Sequence, residues 1–439
     1  MPSKFDHAEI EPTAETLPLY DTEAAQARAR PVVILAMAML FYQGYISAIA
    51  PIASPWIAKS FRLDQSAIAA VFAWLALAYL GALVLSRMAD KFGRRSVMLW
   101  SMTAMPLCAL GAALSSNLAP FVLFMILLNA FGGAVFASAI VIVAEVLPIA
   151  RRAQGQSFAG IAVASGNGLS VVIMPILDHY AISWRWLLWI AAVGIVVGPL
   201  LASALPESPR WERAAQAGET ARARFYDIFV PLYRKRSAAL TVCTIFATLC
   251  SEGTSSWGYF HAVSVVGLSA TAASVMMTLG GGIGMIGFPT GAWSAERFGR
   301  VPTVVWTGIA VGGGGLLFFW GPPAGFGSPA VWLCVTYCLL NVMSNAVTVA
   351  SNAAFTELYP TALRGTTLGW FGVIGAASSV TAEGTISALA KPLGGLSNVV
   401  GWLGLLAIPG AILFGLTIDE TQGLSLEAAA REEAFDNRT

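Results

Sequence analysis

DKFGRR at residues 90–95 returns as ERFGR at 296–300, and EVLP at 145–148 returns as ELYP at 357–360. The two offsets are nearly equal, since 296 − 90 is 206 and 357 − 145 is 212. Each polar stretch lies between long apolar runs, which indicates a duplicated block of helices. Two such halves can rock against each other and expose a central site to either side of a membrane in turn. The repeat therefore predicts a carrier.

Composition places the chain in a membrane. Hydrophobic residues make up 57% of its 439 residues and charged residues only 11%, whereas a soluble domain has roughly 25% charged residues. Backbone polar groups inside a bilayer must be satisfied within their own segment, which for this composition means helices. We therefore predict an all-α membrane protein.

The sequence contains no pattern typical of a metal site, a redox pair or an enzyme. The five cysteines lie in apolar runs and lack the paired spacing of metal or redox sites. No nucleophile and base are paired within the apolar runs, and no basic stripe indicates a nucleic-acid partner. We expect no enzyme activity, no cofactor, no metal and no nucleic acid.

A helix of about 20 apolar residues crosses a bilayer, and twelve runs of that kind predict twelve transmembrane helices. The runs cover about 31–55, 67–86, 97–116, 119–144, 156–177, 184–205, 237–261, 270–293, 301–321, 328–351, 365–388 and 396–417.

These runs divide the chain into two pseudo-symmetric six-helix bundles, the first half at 31–205 and the second half at 237–418. A tail at 1–30, a linker at 206–236 and a tail at 419–439 are predicted to be cytosolic. With this topology the inward segments contain 21 of the 25 Lys and Arg residues, because four face outward. Cytosolic loops carry an excess of Lys and Arg, so the bias supports cytosolic N- and C-termini. The four outward residues are Lys59, Arg62, Arg185 and Lys391.

The repeated polar stretches place acidic and basic residues close together between helices. A glycine permits a tight turn between two helices, and the flanking charges can pair with neighbouring helix ends. We predict that ion pairs here are made and broken as the carrier changes state; the alternative is that they only anchor the cytosolic face. The predicted gating residues are Asp90, Arg94, Arg95, Glu145, Arg152, Glu296, Arg300, Glu357 and Arg364.

At these motifs the chain resembles the major facilitator superfamily over about residues 31–427. DKFGRR resembles the family's signature loop, with Ser86 where glycine is usual. PESPRW at 206–211 is similar to the sugar-porter and organic-ion branches. ELYPT at 357–361 with Arg364 is closer to the organic-ion and aromatic-acid branches, and ETQG at 420–423 is similar to the sugar-porter C-terminus. The resemblance implies the major facilitator fold and alternating access.

Two departures bear on energy coupling. Proton symporters of the sugar and aromatic-acid branches often have Gly-Tyr-Asp in the first span, whereas this chain reads Gly44-Tyr45-Ile46. An arginine of the fourth span is replaced here by Asn129. The usual coupling route of those branches is therefore disfavoured. The short first outward loop is unlike the large ectodomain of animal organic-ion carriers, and we expect a multi-pass monomer in a bacterial inner membrane.

Ionisable residues within spans are costly and mark functional sites. Glu252 lies on a helical stripe with Thr241, Thr244, Thr248, Ser255 and Tyr259, and Glu383 lies one turn after Ser379. Hydrogen-bonded structural carboxyl groups are the alternative for both. His179 and His261 are interpreted as loop residues. The candidates for substrate binding or proton coupling are Glu252, Glu383, Gln43, Tyr45, Asn129, Trp257, Tyr259, Asn341 and Asn345.

The charge inventory favours one substrate class. Apart from Arg185 at the outer edge of the sixth run, the predicted spans contain no Lys or Arg. A carboxylate substrate would lack a buried counter-ion, so a neutral polar or cationic organic solute is favoured. A proton-coupled symporter of an aromatic acid, another organic acid or a sugar is the alternative, and a transporter-like receptor that moves nothing is a third. The expected partners are a small-molecule substrate, the lipid bilayer and, as a candidate coupling ion, the proton.

Overall fold

The computed structural model describes residues 23–146, 152–205, 229, 231–321, 327–359 and 361–422, and every regular element within these ranges is helical. The all-α prediction is therefore confirmed for this part of the chain. Some residues within the helices are described by their backbone alone: 23–29, 90, 144–145, 152–157, 353, 355–357, 361–366 and 368–369.

The first half contains eight described helices. They are α1 (Glu23–Phe61), α2 (Gln65–Leu75), α3 (Leu77–Phe92), α4 (Arg94–Leu114), α5 (Leu118–Val146), α6 (Arg152–His179), α7 (Trp186–Ala192) and α8 (Gly194–Ser203).

The second half contains another eight among its described residues, and a π-helical turn at His261–Val265 follows the first of them. They are α9 (Arg234–Phe260), α10 (Ala270–Gly284), α11 (Gly287–Arg297), α12 (Arg300–Trp320), α13 (Pro329–Glu357), α14 (Thr361–Leu389), α15 (Leu396–Gly404) and α16 (Ala407–Thr417).

The duplication is visible in the backbone as well as in the motifs. The second predicted span of each half is interrupted, at Ala76 between α2 and α3 and at 285–286 between α10 and α11. The sixth span of each half is interrupted too, at Val193 and at 405–406. The offsets are 285 − 76 = 209 and 405 − 193 = 212, which match those of the sequence motifs.

The signature turns also match between the halves. Gly93 has φ 94° and Gly299 has φ 105°, conformations that glycine adopts without the steric strain of a side chain. Each glycine lies between the end of one helix and the start of the next, so the tight turn predicted from both polar stretches is present. A Cβ atom on Gly299 would lie 2.5 Å from Glu420 Oε2. A larger residue at this position would therefore collide with the Glu420 carboxyl group.

Close packing within each half relies on small residues. Gly44 of α1 and Gly166 of α6 lie so near the partner backbone that an added Cβ would collide with Val163 O and Phe41 O respectively. Such approaches are typical of helices that associate in lipid. In the second half, Gly287 lies equally close to the backbone of α13. The glycine content thus serves helix packing in both halves.

Ten helices or helix pairs of the described part are long and apolar enough to cross a membrane. The two predicted spans outside this set are α9 and α14, the helices that carry Glu252 and Glu383. Their polar side chains lower the hydropathy of segments that pack among apolar helices. The count of twelve spans, the position of the termini and the domain boundaries stay predictions.

The interpretation of His261 as a loop residue is wrong. His261 begins the π-helical turn and is buried, and its Nδ1 lies 2.7 Å from Ser397 Oγ. The rings of Phe318 and Phe319 pack against the imidazole. Helix α9 therefore continues into the second half's core at a point where its length alone predicted an end.

Candidate functional site

Glu252 connects the two halves near the middle of the molecule. Tyr79, on α3 of the first half, donates a hydrogen bond from its hydroxyl to Glu252 Oε1 at 3.1 Å. Ser379, on α14 of the second half, donates to the same oxygen at 2.8 Å. Glu252 on α9 thus contacts α3 of the first half and α14 of its own half. The carboxyl group is placed where a movement between the halves would change its hydrogen bonds.

Glu383 lies beside this contact and is only 2% exposed. The indole nitrogen of Trp257 donates to Glu383 Oε2 at 3.0 Å. Ser379 and Glu383 are one helical turn apart and therefore lie on the same face of α14. The Ser379 hydroxyl group bonds to Glu252, so the Glu383 carboxyl group lies on the face of α14 that contacts Glu252. Helix α9 contributes Glu252 and Trp257 to these contacts, and α14 contributes Ser379 and Glu383. The two acids, which are 131 residues apart (383 − 252), therefore form one site, hereafter the acid pair.

The described hydrogen-bond donors to the acid pair are all neutral: a phenol, a hydroxyl group and an indole. An ionised carboxylate in a low-dielectric interior is costly unless a positive charge compensates it. Either carboxyl group is able to bind a proton, and the bond from Tyr79 makes the surroundings of Glu252 depend on the arrangement of the halves.

Trp257 bonds to Glu383 and does not line the surface of an open pocket. Its side chain is fully buried, and its ring lies 4.7 Å from that of Phe72 on α2, measured between centroids. The same side chain therefore orients Glu383 and contacts the first half. We class Trp257 as a positioning residue.

A second set of contacts joins the halves at the end that the charge bias places outside. Asp64 pairs with Lys391 at 3.1 Å, Gln65 Oε1 accepts from the backbone nitrogen of Leu396 at 3.0 Å, and Ser387 Oγ donates to the backbone oxygen of Ser66 at 3.1 Å. These three interactions form what we call the outer clasp. They link the start of α2 to the region between α14 and α15. The structure therefore has its halves joined at the outer end.

Asp64 remains ionised over the physiological range. The backbone N–H of Ala67, then the hydroxyl of Ser66 and the ammonium of Lys391, lower its pKa to about 2. Hydrogen bonds and a positive charge both favour the carboxylate form. Protons in the neutral pH range therefore do not act on the outer clasp through Asp64.

The other candidate residues are mostly engaged in packing. The hydroxyl of Tyr45 donates to Leu187 O at 2.9 Å, and that of Tyr259 to Ala270 O at 3.2 Å. Asn345 Nδ2 donates to Gly284 O at 2.9 Å and so ties α13 to α10. Asn129 donates to Met125 O of its own helix. Their roles in binding stay predictions, and the structure does not bring them to the acid pair.

Gln43 differs from these residues. It is half-buried, its Oε1 has no hydrogen-bond partner within the described part of the chain, and it packs near Gly132 of α5. An amide oxygen of this kind is available to a ligand or a water. Gln43 lies in the first half and is not among the residues that bond to the acid pair.

A cavity of about 460 Å³ lies within the second half, between α9 and α13, with α12 and α16 forming its floor. We call it the second-half cavity. Asn341 is the candidate residue that lines it, together with Thr244, Thr248 and Ser255 of the predicted stripe. Sequence reasoning missed Ser344, Thr348 and Ser351 on α13. Their spacing of four and three residues was a usable signal, since it places all three on one helix face.

The cytosolic motifs are described in part. The side chains of Asp90, Glu145, Arg152, Glu357 and Arg364 lie outside the described residues.

The described members of the cytosolic motifs make contacts within their own half. Arg95 donates to Ser203 O at 2.9 Å. Glu420 accepts from the backbone nitrogens of Arg300 and Val301, at 2.9 and 3.0 Å, and so caps the amino end of α12. The backbone oxygen of Glu296 accepts from Gln422 Nε2. The C-terminal ETQG motif thus fastens the signature turn of the second half, and a gating role stays a prediction.

Comparison with known proteins agrees with this architecture. Residues 34–383 match the family model described as Major Facilitator Superfamily. A gentisate transporter of Corynebacterium glutamicum is 25% identical over 392 residues, which cover 85% of this chain and 84% of that protein. A D-xylose transporter of Levilactobacillus brevis is 31% identical over 134 residues, 30% of this chain and 29% of that relative.

Solved structures share the fold at low sequence identity. A D-xylose–proton symporter has a TM-score of 0.71 at 17% identity, covering 90% of this chain and 99% of that one. The nucleoside transporter NupG also has a TM-score of 0.71, at 16% identity, covering 88% of this chain and 100% of that one. At such identities the likeness establishes the arrangement of the helices.

Proposed function

Because this chain belongs to the major facilitator superfamily, we propose that it moves a small polar organic solute across a cell membrane by alternating access, with the proton as coupling ion. It is a multi-pass transporter and not an enzyme. The proposal assigns proton binding to Glu252 and Glu383. It favours a neutral or cationic solute.

The hydrogen bond from Tyr79 to Glu252 is the observation that carries the proposal. It crosses from one half to the other, so it exists only while the halves are together at this level. The proton affinity of Glu252 must then differ between the state that has this bond and a state that lacks it. By linkage, protonation changes the balance between the two states by the same factor. This is the requirement for coupling a proton to alternating access.

The outer clasp supports an assignment of the state that the structure represents. Its three contacts close the outer end in this structure, so the described arrangement corresponds to a state in which the outside is shut. Opening to the outside requires the outer clasp to separate and removes Tyr79 from Glu252 if the halves rotate as rigid bodies. The acid pair is then exposed to the outside in one state and screened from it in the other.

A second candidate function is proton-coupled uptake of an organic acid. The observation that favours it is the similarity to a gentisate transporter, which extends over 85% of this chain. Against it, the described hydrogen bonds at the acid pair come from neutral donors, so an anionic solute would find no compensating positive charge there. We therefore place this candidate second.

Reconstituted protein tests the proposal. We would measure uptake of labelled D-xylose, gentisate and tetraethylammonium into proteoliposomes, with and without an inward proton gradient. We expect gradient-driven uptake of D-xylose or the cation, and loss of the gradient dependence in Glu252→Gln and Glu383→Gln.

Asp178→Asn provides the matched control, since this acid lies at the outer end of α6 and accepts from Trp56 Nε1 at 3.0 Å. Gradient-driven uptake by Glu252→Gln at the wild-type level would refute the proton assignment. Uptake of gentisate alone would move the second candidate to first place. Binding of a probe without flux would indicate a receptor.

A further inference from the structure

We infer that His261 is a positioning residue, whose hydrogen bond to Ser397 connects the outer clasp with the acid pair. The inference rests on the proposed transport function and deepens it, because it names the contact that links closure of the outer end to proton binding. His261 is not among the residues that bond to Glu252 or Glu383. It therefore acts through its neighbours on α9 and α15.

The outer clasp lies one residue away from the partner of His261. Gln65 Oε1 accepts from the backbone nitrogen of Leu396 at 3.0 Å, and Ser397 is the next residue of α15. The hydroxyl group of Ser397 lies 2.7 Å from His261 Nδ1. The start of α15 is thus held from two sides, by α2 of the first half and by α9 of its own half. Opening of the outer clasp removes the first of these restraints.

The imidazole ring is held too tightly to follow Ser397 by itself. His261 is 2% exposed, and the rings of Phe318 and Phe319 lie 5.4 and 5.1 Å from it, measured between centroids. Its Nε2 has no hydrogen-bond partner within the described part of the chain, so the contact with Ser397 orients the ring. A displacement of Ser397 therefore either breaks this bond or moves the end of α9.

The backbone at His261 is suited to such a movement. A π-helical turn begins at this residue, in which the backbone nitrogen of Val266 donates to His261 O at 3.0 Å. The backbone nitrogen of Leu268 donates to Ala262 O at 2.9 Å. Turns of this kind interrupt the regular spacing of helical hydrogen bonds and are frequent at functional sites. The end of α9 can therefore shift without unfolding the α-helix that precedes it.

The first route from His261 to the acid pair is a single helical turn. Trp257 precedes His261 by four residues, so the two side chains are neighbours on α9. The indole nitrogen of Trp257 donates to Glu383 Oε2 at 3.0 Å. A shift at the end of α9 therefore changes the hydrogen bond that orients Glu383.

The second route is the packing of α15 against α9. Gly253, which follows Glu252, approaches Val400 so closely that an added Cβ atom would lie 3.0 Å from Val400 Cγ1. Val400 is one helical turn along α15 from Ser397. The two helices thus contact each other beside the outer clasp and again beside Glu252. A movement of α15 reaches both acids through α9.

The described neighbours of the imidazole ring carry no charge, since they are one hydroxyl group on α15 and two phenyl rings on α12. The titratable groups lie at the two ends of the connection. Glu252 faces the phenol of Tyr79, and Asp64 faces Lys391 in the outer clasp. No described carboxylate is placed to stabilise a positive charge on the ring. His261 thus transmits the effect of a proton that binds at the acid pair.

The test measures opening of the outer end in the full-length chain with Ser387→Cys. Purified protein is reacted with methyl methanethiosulfonate at pH 5 and at pH 8, and labelling of position 387 is followed by peptide mass spectrometry. Each rate is divided by that of a short peptide with the same thiol, which removes the intrinsic pH dependence of thiolate formation. The larger corrected rate divided by the smaller is called the coupling ratio.

The coupling ratio of the Ser387→Cys parent should be about fivefold or more, the lower end of typical linkage between two sites. Ser397→Ala and His261→Leu should each reduce it below about twofold, and the double variant no further, because both remove the same bond. His261→Asn should retain it, since the Asn amide has a polar atom as far from the backbone as Nδ1. His261→Gln should lose it, because its amide is one bond further out.

His179→Leu is the matched control and should keep the coupling ratio of the parent. His179 lies at the outer end of α6, is exposed, and packs its ring 5.0 Å from that of Tyr180. A loss in His179→Leu as large as that in His261→Leu would contradict the inference. If His261→Leu elutes in the void volume, Ser397→Ala decides, because it leaves the ring and its packing in place.

A parental coupling ratio retained in both Ser397→Ala and His261→Leu would overturn the inference, as would a ratio retained in His261→Gln and lost in His261→Asn. Glu252→Gln separates this outcome from failure of the proposed function. A ratio that Glu252→Gln leaves unchanged would refute proton binding at the acid pair. A ratio lost in Glu252→Gln but kept in Ser397→Ala would refute only the role of His261, and a ratio near one in the parent would refute both.

Discussion

The two halves share a backbone plan but differ in what their interiors contain. With the offset of 209 found between Ala76 and Met285, position 252 corresponds to Gln43, because 252 − 209 is 43. An amide thus occupies in the first half the place that an acid occupies in the second. Nearby, Gly44 and Gly253 correspond by the same offset, and both pack closely against another helix.

Polar groups of the first half are used to hold helices together. Tyr42 donates to Ala191 O at 2.6 Å, Tyr45 to Leu187 O at 2.9 Å, and Ser170 to Tyr45 O at 2.9 Å. These bonds end on backbone carbonyls and fasten α1 to α6 and α7. In the second half, by contrast, carboxyl groups accept hydrogen bonds from side chains of other helices, and hydroxyl groups of α9 and α13 line a cavity. The two halves thus share a backbone plan and differ in the polar groups of their interiors.

The largest expected effect contrasts Glu252 with its counterpart. Glu252→Gln should reduce gradient-driven uptake on the order of 100-fold, since loss of a buried ionisable partner corresponds to about 3 kcal/mol. Gln43→Leu should reduce it less than about tenfold, because no charge is changed. Initial uptake rates in proteoliposomes measure both. Equal losses would mean that the halves do not differ in coupling.

The next effect compares two buried tryptophans that each donate a hydrogen bond. Trp257→Phe removes the indole donor to Glu383 Oε2, whereas Trp184→Phe removes a donor to Ser60 Oγ at 2.9 Å. Loss of a donor to a buried carboxyl group costs about 1–3 kcal/mol, and loss of a donor to a neutral hydroxyl group about 1 kcal/mol. Thermal unfolding in detergent should show the larger loss for Trp257→Phe. A larger loss for Trp184→Phe would contradict the assignment of Trp257 as a positioning residue.

A smaller effect is expected at the two signature turns. Gly93→Ala and Gly299→Ala should each lower stability by about 1–2 kcal/mol, because a side chain is strained at positive φ. Gly299→Ala should lose more, since the new methyl group displaces Glu420 from the amino end of α12. Gly160→Ala is the control, because its surroundings leave space for a Cβ atom. The apparent unfolding temperatures decide the order, and a greater loss at Gly93 would contradict it.

The smallest effect concerns pH at the outer clasp. The folded-state pKa of Asp64 is lowered from 3.8 to about 2, so its contribution is present above the unfolded pKa and is lost only as pH falls through about 2. Between pH 5 and 8 it does not titrate.

Asp64→Asn should therefore leave the shape of the pH–uptake profile unchanged and only ease opening to the outside, by less than about fivefold for an exposed pair. Labelling of a Ser387→Cys variant from outside measures the opening. A pH profile that flattens in Asp64→Asn would move proton coupling from the acid pair to the outer clasp. Lys391→Met serves as the paired variant, since it removes the same ion pair without touching the carboxyl group.

Much of the architecture could be predicted from the sequence. The repeat of DKFGRR and ERFGR predicted the duplication, and the tight turns at Gly93 and Gly299 follow from it. The polar stripe on α9 identified Thr244, Thr248 and Ser255, which line the second-half cavity. The spacing of Ser379 and Glu383 by one turn correctly placed two polar groups on one face of α14. Periodicity succeeds here because a helix fixes which residues share a face.

Sequence analysis did not predict the contacts between segments that are distant along the chain. Tyr79 was not a candidate, yet it reaches Glu252 across 173 residues. Tyr45 and Tyr259 were candidates because they are polar residues in apolar runs, but their hydroxyl groups bond to backbone oxygens of neighbouring helices. Helical periodicity says which way a side chain points on its own helix. It carries no information about which helix lies opposite.

The amino-acid order alone therefore established a duplicated, all-helical membrane protein and its family, and it identified the two acids to which we assign proton binding. These follow from composition, local periodicity and the recurrence of short motifs, all of which are properties of neighbouring residues. The packing of helices decided that Glu252 and Glu383 form one pair, that Tyr79 joins them from the other half, and that a cavity opens between α9 and α13. Such arrangements arise from contacts between distant segments, which exist only once the helices have assembled.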